Sequence, residues 1–317
     1  MTRTLARHAG RILAMALLLA IVPLARAGQH PESAGPLKVR VGVYVIDLGK
    51  LDTSTGSFTA DFYLMFESDT PFPSFKFEFL NGRSKSFVQQ SDDPAYKAYR
   101  IQAELNEDID LRSYPFDGHD LSIRLAPTDL TTDKLNFESG PKITGLDPVL
   151  HIPGWNLDRS WRASVDDLEY DVFGGETYST YTFGMHIGRP WLSSFLKGLL
   201  PALFILLVGF IPFFMQPDKA KDRLGLNTSC LVGTVLFHLN LTASVPPIGY
   251  LTYADKFMIA NYVGAIGSLV ATVALIVLFD RSREARGIRV HKVSRILVPG
   301  TWLALQIILV ATLIRRA

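Results

Sequence analysis

The chain has 317 residues, of which 48% are hydrophobic and 20% are charged, and its formal net charge at pH 7 is +2. This balance excludes a disordered chain, and the sequence has no block of like charge that would point to a nucleic-acid partner. The chain has a single cysteine, Cys230, which excludes an intrachain disulfide framework.

The first predicted element is a short apolar run at residues 12–24. It follows three arginines and ends in the small-residue sequence Ala25-Arg26-Ala27. A basic start, a short apolar run and small residues at its end are typical of a secretory signal peptide. We therefore predict a signal peptide at 1–27 and an exported domain at 28–189.

The exported part is predicted to consist of strands. Residues 39–45, 58–64 and 121–125 alternate between apolar and polar side chains, which is the pattern of a sheet with one buried face. Many short strands with turn signals between them favour two sheets packed on each other. The prediction is an all-β sandwich that is held by packing alone.

Four stretches in the C-terminal part are long enough to cross a bilayer, which takes about 20 residues. Basic residues crowd the loops after the first and third stretches, whereas residues 246–253 contain none, so those two basic loops are predicted to be cytoplasmic. We predict an α-helical four-helix transmembrane domain at 190–317. Its helices are expected at about 191–215, 223–245, 254–279 and 295–314.

The sequence contains no catalytic constellation. Its seven histidines are scattered, and it has neither a Gly-x-Ser-x-Gly motif nor a phosphate-binding loop. The acidic side chains between residues 166 and 171 are typical of a solvated strand and turn, although their density leaves divalent-ion modulation open. No catalytic residue, enzymatic activity, metal site or cofactor is predicted.

The second membrane stretch, residues 223–245, is unusually polar for a lipid-facing helix. Such a helix needs water or protein around it, which predicts that it lines an ion pathway. The alternative is that its polar side chains bond neighbouring helices, and this stays open for Asn227 and Thr234. For His238 the inter-helix role is favoured over a role as a proton sensor.

Four segments follow one another in a characteristic order. They are residues 110–117 (DLRSYPFD), Arg189 followed twelve residues later by Pro201, residues 223–226 (RLGL) and residues 246–253 (PPIGYLTY). The set resembles markers of the pentameric ligand-gated ion channels, the Cys-loop receptor superfamily, and in particular its bacterial members. The resemblance implies a homo-pentamer in the bacterial inner membrane, with the N-terminal domain in the periplasm or outside the cell.

Two features depart from that family. Glu107 and Leu121 stand where animal receptors carry the two cysteines of the signature loop, as is expected of a bacterial member. The segment between Leu64 and Asn81 is shorter than in the family and contains no tryptophan. Because this segment contributes to the family's agonist pocket, the stimulus stays open: a small molecule, a proton or a divalent ion as agonist or modulator.

The resemblance sets the register of the pore helix at Arg223. From there, alternating spacings of four and three residues place one stripe of side chains toward the axis. Apolar rings at Val232, Leu236 and Leu239 are predicted to exclude ions by dewetting until the helices move apart. The predicted pore-lining residues are Gly225, Ser229, Val232, Leu236, Leu239 and Ala243.

Asp222 and Arg223 are predicted to set the ion selectivity. A ring of Asp222 carboxylates lowers the energy of a cation at the cytoplasmic mouth, while Arg223 can turn sideways. The pair resembles that of cation-selective relatives. Monovalent cations are therefore the predicted permeating ions.

The resemblance also implies a charged seam between the two domains, with Arg189 between the carboxylates of Asp52 and Asp117. It implies agonist binding at Trp155, Tyr178 and Tyr181, whereas the residues alone leave open that the tyrosines pack a sandwich edge. The predicted coupling residues are Asp52, Tyr114, Pro115, Phe116, Asp117, Arg189, Pro246, Pro247 and Tyr250.

These patterns together predict a pentameric ligand-gated cation channel surrounded by membrane lipid and without a nucleic-acid partner. The alternative is a non-conducting, membrane-anchored periplasmic sensor or binding protein. The cytoplasmic linker at 280–292 is too short for an enzymatic or scaffold domain, which favours the channel.

Overall fold

The computed structural model describes residues 35–140, 143–170 and 175–315. The predicted signal peptide lies outside this part of the chain. The strands come first and the helices follow. The strands are β1 (Leu37–Leu48), β2 (Ser57–Glu67), β3 (Phe77–Phe79), β4 (Gly82–Asp93), β5 (Tyr96–Asn106), β6 (Gly118–Pro127), β7 (Leu135–Ser139), β8 (Gly145–Leu146), β9 (Asn156–Tyr170) and β10 (Glu176–Gly188).

The strands form two sheets that pack face to face. One sheet has the order β4-β5-β2-β1-β7, with β8 also paired to β1, and the other has the order β3-β6-β10-β9. Alternate residues of β1 and β2 face the shared core, so that the valines at 39, 41, 43 and 45 are fully buried, whereas no residue of the edge strand β4 is buried. Phe62, Ile123 and Phe183 enter the same core from neighbouring strands.

The helices follow directly after β10. The helices are α1 (Trp191–Gly198), α2 (Leu200–Phe210), a short 3-10 segment (Ile211–Phe214), α3 (Ala220–Thr242), α4 (Tyr253–Asp280) and α5 (Glu284–Ile314). In the described part of the chain, α3, α4 and α5 are each long and apolar enough to cross a membrane, and α1 with α2 forms a fourth crossing if this bent pair is one span. The predicted fold class, an all-β sandwich followed by an α-helical membrane domain, is confirmed.

The first span is bent by 42° between α1 and α2. The break falls at Leu199, two residues before Pro201, which stands in the first turn of α2. Since proline has no N–H, it cannot donate to the carbonyl four residues earlier, and its ring crowds that carbonyl. A single straight helix over 191–215 is therefore replaced by two helices and a final 3-10 turn.

Small and polar residues pack the helices against one another. A Cβ atom added at Gly209 of α2 would lie 2.4 Å from the Cys230 Sγ atom of α3, so only glycine allows this close approach. The outermost helix, α5, is attached to α4 through Asn261, whose Oδ1 atom accepts hydrogen bonds from Trp302 at 2.9 Å and Gln306 at 3.3 Å.

Candidate ion pathway and domain junction

The predicted pore-facing stripe lies on the uncovered face of α3. Val232, Leu236 and Leu239 are 52%, 61% and 63% exposed in the single subunit. The small residues of the stripe are exposed as well: Gly225, Ser229 and Ala243. The side chains that are predicted to face the axis are therefore not covered by other residues of the same subunit.

The opposite face of α3 is buried against the other helices. At about 100° per residue, the buried positions lie roughly 140–200° around the helix from Gly225. Asn227 donates to the Thr272 Oγ1 atom at 2.7 Å, and Ser268 donates to the Asn227 Oδ1 atom at 2.9 Å. The buried residues on this face are Arg223, Asn227, Cys230, Thr234 and Leu241.

The polar residues on the buried side divide into two kinds. Asn227 bonds α4, and His238 contacts the Tyr262 hydroxyl at 3.1 Å and the Asp255 carboxylate at 3.3 Å, also on α4. Thr234 instead donates to the Cys230 carbonyl one turn earlier in its own helix. Bonding between helices thus accounts for Asn227 and His238.

The N-terminal end of α3 separates the two charges that are predicted to set selectivity. Asp222 is exposed, whereas the Arg223 side chain is 0% exposed and points to the end of the first span, where its Nη1 atom lies 3.5 Å from the Met215 carbonyl oxygen. Asp222 and Arg223 form no ion pair in the described chain. Lys221, next to Asp222, is exposed too.

A buried carboxylate joins the exported domain to the first span. Asp117 accepts a hydrogen bond from Arg189 Nε at 2.7 Å on one oxygen, and its other oxygen lies 2.8 Å from His119 Nε2. The Asp117 side chain is 0% exposed and that of Arg189 is 24% exposed. A buried carboxylate with these partners is strongly coupled to both of them.

Aromatic rings cover the Arg189 guanidinium group. Its central carbon lies 4.4 Å from the ring centre of Trp155 and 5.2 Å from that of Tyr114. Burial raises the pKa of the Tyr114 phenol above its usual value, which keeps this ring neutral. Cation–π contacts of this kind are stronger where water is excluded.

The signature loop reaches the membrane domain through backbone bonds. The amides of Tyr253 and Ala254 donate to the carbonyls of Arg112 and Tyr114 at 2.9 and 3.0 Å. Phe116 packs edge-on against Tyr253, with ring centres 5.7 Å apart. The start of α4 is therefore fixed directly to the tip of this loop.

The loop after α3 contributes a further contact. The Leu111 amide donates to the Tyr250 hydroxyl at 3.0 Å, and the Arg112 guanidinium lies 4.6 Å from the Tyr250 ring centre. Pro246 and Pro247 line a cavity of about 450 Å³ that also borders Tyr250. Pro115 packs on the other side, where its ring lies 3.3 Å from the position that a Cβ atom at Gly198 would take.

The charged seam differs from the prediction in one member, Asp52. Its Oδ1 atom accepts from the amide of Ser54 at 2.8 Å and from the Ser54 hydroxyl at 2.6 Å, and these bonds lower the pKa of the Asp52 carboxyl. Within the described residues, Arg189 pairs with Asp117 alone. Instead of an arginine between two carboxylates, the structure has one carboxylate between an arginine and a histidine.

The three predicted agonist-binding residues do not meet. Trp155 lies next to the membrane end of the β9–β10 hairpin, and Tyr178 stands about ten residues away along β10, which is about 33 Å in a strand. Tyr181 is 0% exposed in the sandwich core, where burial raises the pKa of its phenol. Within the described residues of one subunit these three form no common site, and Trp155 lies at the domain junction; agonist binding there stays a prediction.

The base of the signature loop is closed by hydrogen bonds at the position of the family's first cysteine. Glu107 Oε1 accepts from the Ser122 hydroxyl, from the Ser122 amide at 3.1 Å and from the Asn81 side chain at 3.2 Å. The Asn81 side chain also donates to the carbonyls of Asn106 and Ser122. In the sequence, the only sign that Glu107 closes the loop is that Glu107 and Leu121 stand where animal receptors carry the two cysteines.

A sandwich joined by a charged junction to a bundle of apolar helices, one of which has an exposed face of mixed polar and apolar residues, is the architecture of a multi-pass membrane protein. No protein-family model matches the chain. It is 23% identical over 305 residues to the "Proton-gated ion channel" of Gloeobacter violaceus, which covers 88% of this chain and 84% of that protein.

Two animal relatives match a shorter part. The "pH-sensitive chloride channel 2" of Anopheles gambiae is 24% identical over 203 residues, and the human "Glycine receptor subunit beta" is 23% identical over 209 residues. Each match covers 62% of this chain but only 32% and 40% of those two proteins. These similarities support placing the chain in the pentameric ligand-gated ion channel superfamily, to which the Cys-loop receptors belong.

Proposed function

We propose that the chain is one subunit of a homo-pentameric ion channel in which α3 lines the pore and the exported sandwich receives the stimulus. The observation that supports this most is the division of α3 into two faces. The six stripe residues are exposed, while the opposite face is buried by α2 and α4. Because this exposed face also carries polar side chains such as Ser229, water or a neighbouring subunit covers it better than lipid does.

The gate in this proposal is apolar. Rings of Val232, Leu236 and Leu239 stand above the smaller residues Gly225 and Ser229, which leave a wider hydrated neck below. Water leaves a narrow apolar constriction, so ions meet a barrier until the helices tilt apart. Ala243 completes the stripe at the outer end.

Recordings from the purified protein in planar bilayers test the gate. Val232→Ala is expected to raise the resting open probability, because a smaller ring holds water more readily. Val310→Ala on the outermost helix is the matched control, since it is the same substitution at an exposed position away from the stripe. A well-folded oligomer without unitary currents would favour the non-conducting sensor.

Selectivity for monovalent cations is proposed from the mouth of the pore. Asp222 is exposed and Arg223 is withdrawn from the mouth, so the carboxylate is not neutralised by its neighbour. Under a NaCl gradient the reversal potential should lie near the sodium potential. Asp222→Asn should move it toward the chloride potential and Lys221→Gln away from it, and an unchanged reversal potential in both variants would contradict this proposal.

The proposed topology places a signal peptide at 1–27, the domain 28–189 in the periplasm and the domain 190–317 in the bacterial inner membrane. The basic segments 216–222 and 280–295, which include the first residues of α3 and the N-terminal part of α5, then face the cytoplasm. Protons are the first stimulus to test, because two relatives are named for their response to pH. Single cysteines labelled from the outside at 246–253, but not at 281–289, would support this orientation.

A further inference from the structure

The Arg223 guanidinium group is buried at the cytoplasmic end of the helical bundle without a counter-ion. Its side chain is 0% exposed, and its bond to the Met215 carbonyl is long at 3.5 Å. Within the described residues, its Nε and Nη2 atoms have no hydrogen-bond partner and no carboxylate lies within ion-pair distance. A buried cation without a partner is costly, so an anion is expected next to it in the membrane.

Two further groups on α5 approach the same place. The Arg295 guanidinium lies 4.7 Å from the ring centre of Phe214, the residue before Met215. His291, one turn earlier on α5, interacts electrostatically with both Arg223 and Arg295. The buried Nδ1 atom of His291 is without a partner in the described chain.

This cluster lies at the depth of the lipid headgroups. The 31 residues of α5 span about 46 Å at ~1.5 Å per residue, whereas the hydrocarbon layer is about 30 Å thick. The first third of α5 therefore extends beyond the hydrocarbon on the basic side of the membrane, and Arg295 stands at the boundary. The basic residues of this end are Arg281, Arg283, Arg286, Arg289, Lys292 and Arg295.

We propose that Arg295 and His291, with the uncompensated charge of Arg223 buried behind them, form a binding site for the phosphate group of an anionic lipid in the cytoplasmic leaflet. The Arg295 guanidinium matches the oxygens of a phosphate with paired N–H donors, and an imidazole N–H of His291 adds another donor. Exposed apolar side chains beside the cluster, Phe214 at 73% and Ile296 at 77%, offer contacts for an acyl chain. These apolar contacts favour a lipid over free inorganic phosphate, which offers the same phosphate oxygens but no acyl chain.

Thermal unfolding of the full-length protein in a neutral detergent tests this proposal independently of ion conduction. Short-chain phosphatidylglycerol should raise the unfolding temperature saturably, and short-chain phosphatidylcholine should not. Arg295→Gln should weaken the apparent affinity roughly ten-fold, as expected for one charge-assisted hydrogen bond. His291→Gln is a second variant that spares the fully buried Arg223.

Arg286→Gln is the matched control. It removes the same charge from the same helix, but nine residues earlier and thus about 180° around it. An unchanged affinity in this variant supports a defined site, whereas an equal loss in Arg286→Gln and Arg295→Gln would mean diffuse surface charge and overturn the proposal. Equal stabilisation by phosphatidylcholine, or by inorganic phosphate alone, would overturn the assignment to an anionic lipid.

Discussion

The Asp117 carboxylate is the residue on which the junction between the domains depends most. It is fully buried, and its two oxygens are occupied by Arg189 and His119. Removing one partner of such a group leaves a buried charge that is only partly compensated. The dependence can be measured by comparing the stability lost when this buried pair is broken with the stability lost when an exposed ion pair of the sandwich is broken.

Arg189→Ala should therefore abolish gating or pentamer assembly. The expected loss of stability is about 3 kcal/mol, because Asp117 keeps its burial but loses its cation. Size-exclusion chromatography, thermal unfolding and bilayer recordings measure the three effects. The control is Arg100→Ala, which breaks an exposed bidentate pair with Asp61 and should cost less than about 1 kcal/mol.

Normal currents and assembly from Arg189→Ala would mean that the seam does not transmit the stimulus. Equal destabilisation by Arg100→Ala would point to a general effect of charge removal.

Glu107 allows a second test at the scale of one residue. Glu107→Ala removes the acceptor for Ser122 and Asn81, so the signature loop should open at its base. Amide hydrogens of the loop, such as that of Phe116, should then exchange about ten-fold faster. A ten-fold change corresponds to roughly 1.4 kcal/mol in the free energy of local opening. Glu107→Gln retains an acceptor oxygen and should have a smaller effect. Glu104→Ala, in the exposed pair with Lys85, is the control; a similar effect from that variant would contradict the role of Glu107.

At the scale of elements, close contact between α2 and α3 requires a glycine. Gly209→Ala should destabilise the membrane domain by about 1–3 kcal/mol, since the new methyl group collides with the Cys230 sulfur. Cys230→Ala in the same chain should restore part of the loss. Thermal unfolding in detergent measures both.

Gly300→Ala is the control for helix propensity, because nothing lies within 4 Å of a Cβ atom at that position. A loss in Gly300→Ala equal to that in Gly209→Ala, or no recovery in the double variant, would contradict the steric explanation.

Elements with a clear period could be predicted from the sequence. The alternation at 39–45 gave β1 and its buried valines, and the spacing from Arg223 singled out residues that are exposed on α3. Contacts set by other elements could not be predicted. The resemblance implies agonist binding at Trp155, Tyr178 and Tyr181, but strand register places Tyr181 inward and separates the other two along the hairpin. The Asp52 carboxylate accepts hydrogen bonds from Ser54 instead of pairing with Arg189, and sequence spacing does not reveal such a local bond.

At the scale of the whole molecule, the sandwich carries its own core. The buried cluster that runs from Val39 to Ile187 contains residues of the exported part alone. Residues 28–189 expressed without the helices should therefore fold, with a β-type circular dichroism spectrum and a cooperative thermal transition. A spectrum of an unfolded chain would mean that the contacts of Tyr253 and Ala254 with the signature loop are needed for the fold.

The bend at Leu199 makes the first span two short rods instead of one. The rod before the bend begins beside Arg189, whereas the rod after it packs against α3 where Gly209 meets Cys230. In the proposed channel, a displacement of the sandwich would be absorbed at this elbow, so that the two ends of the pore would change diameter independently.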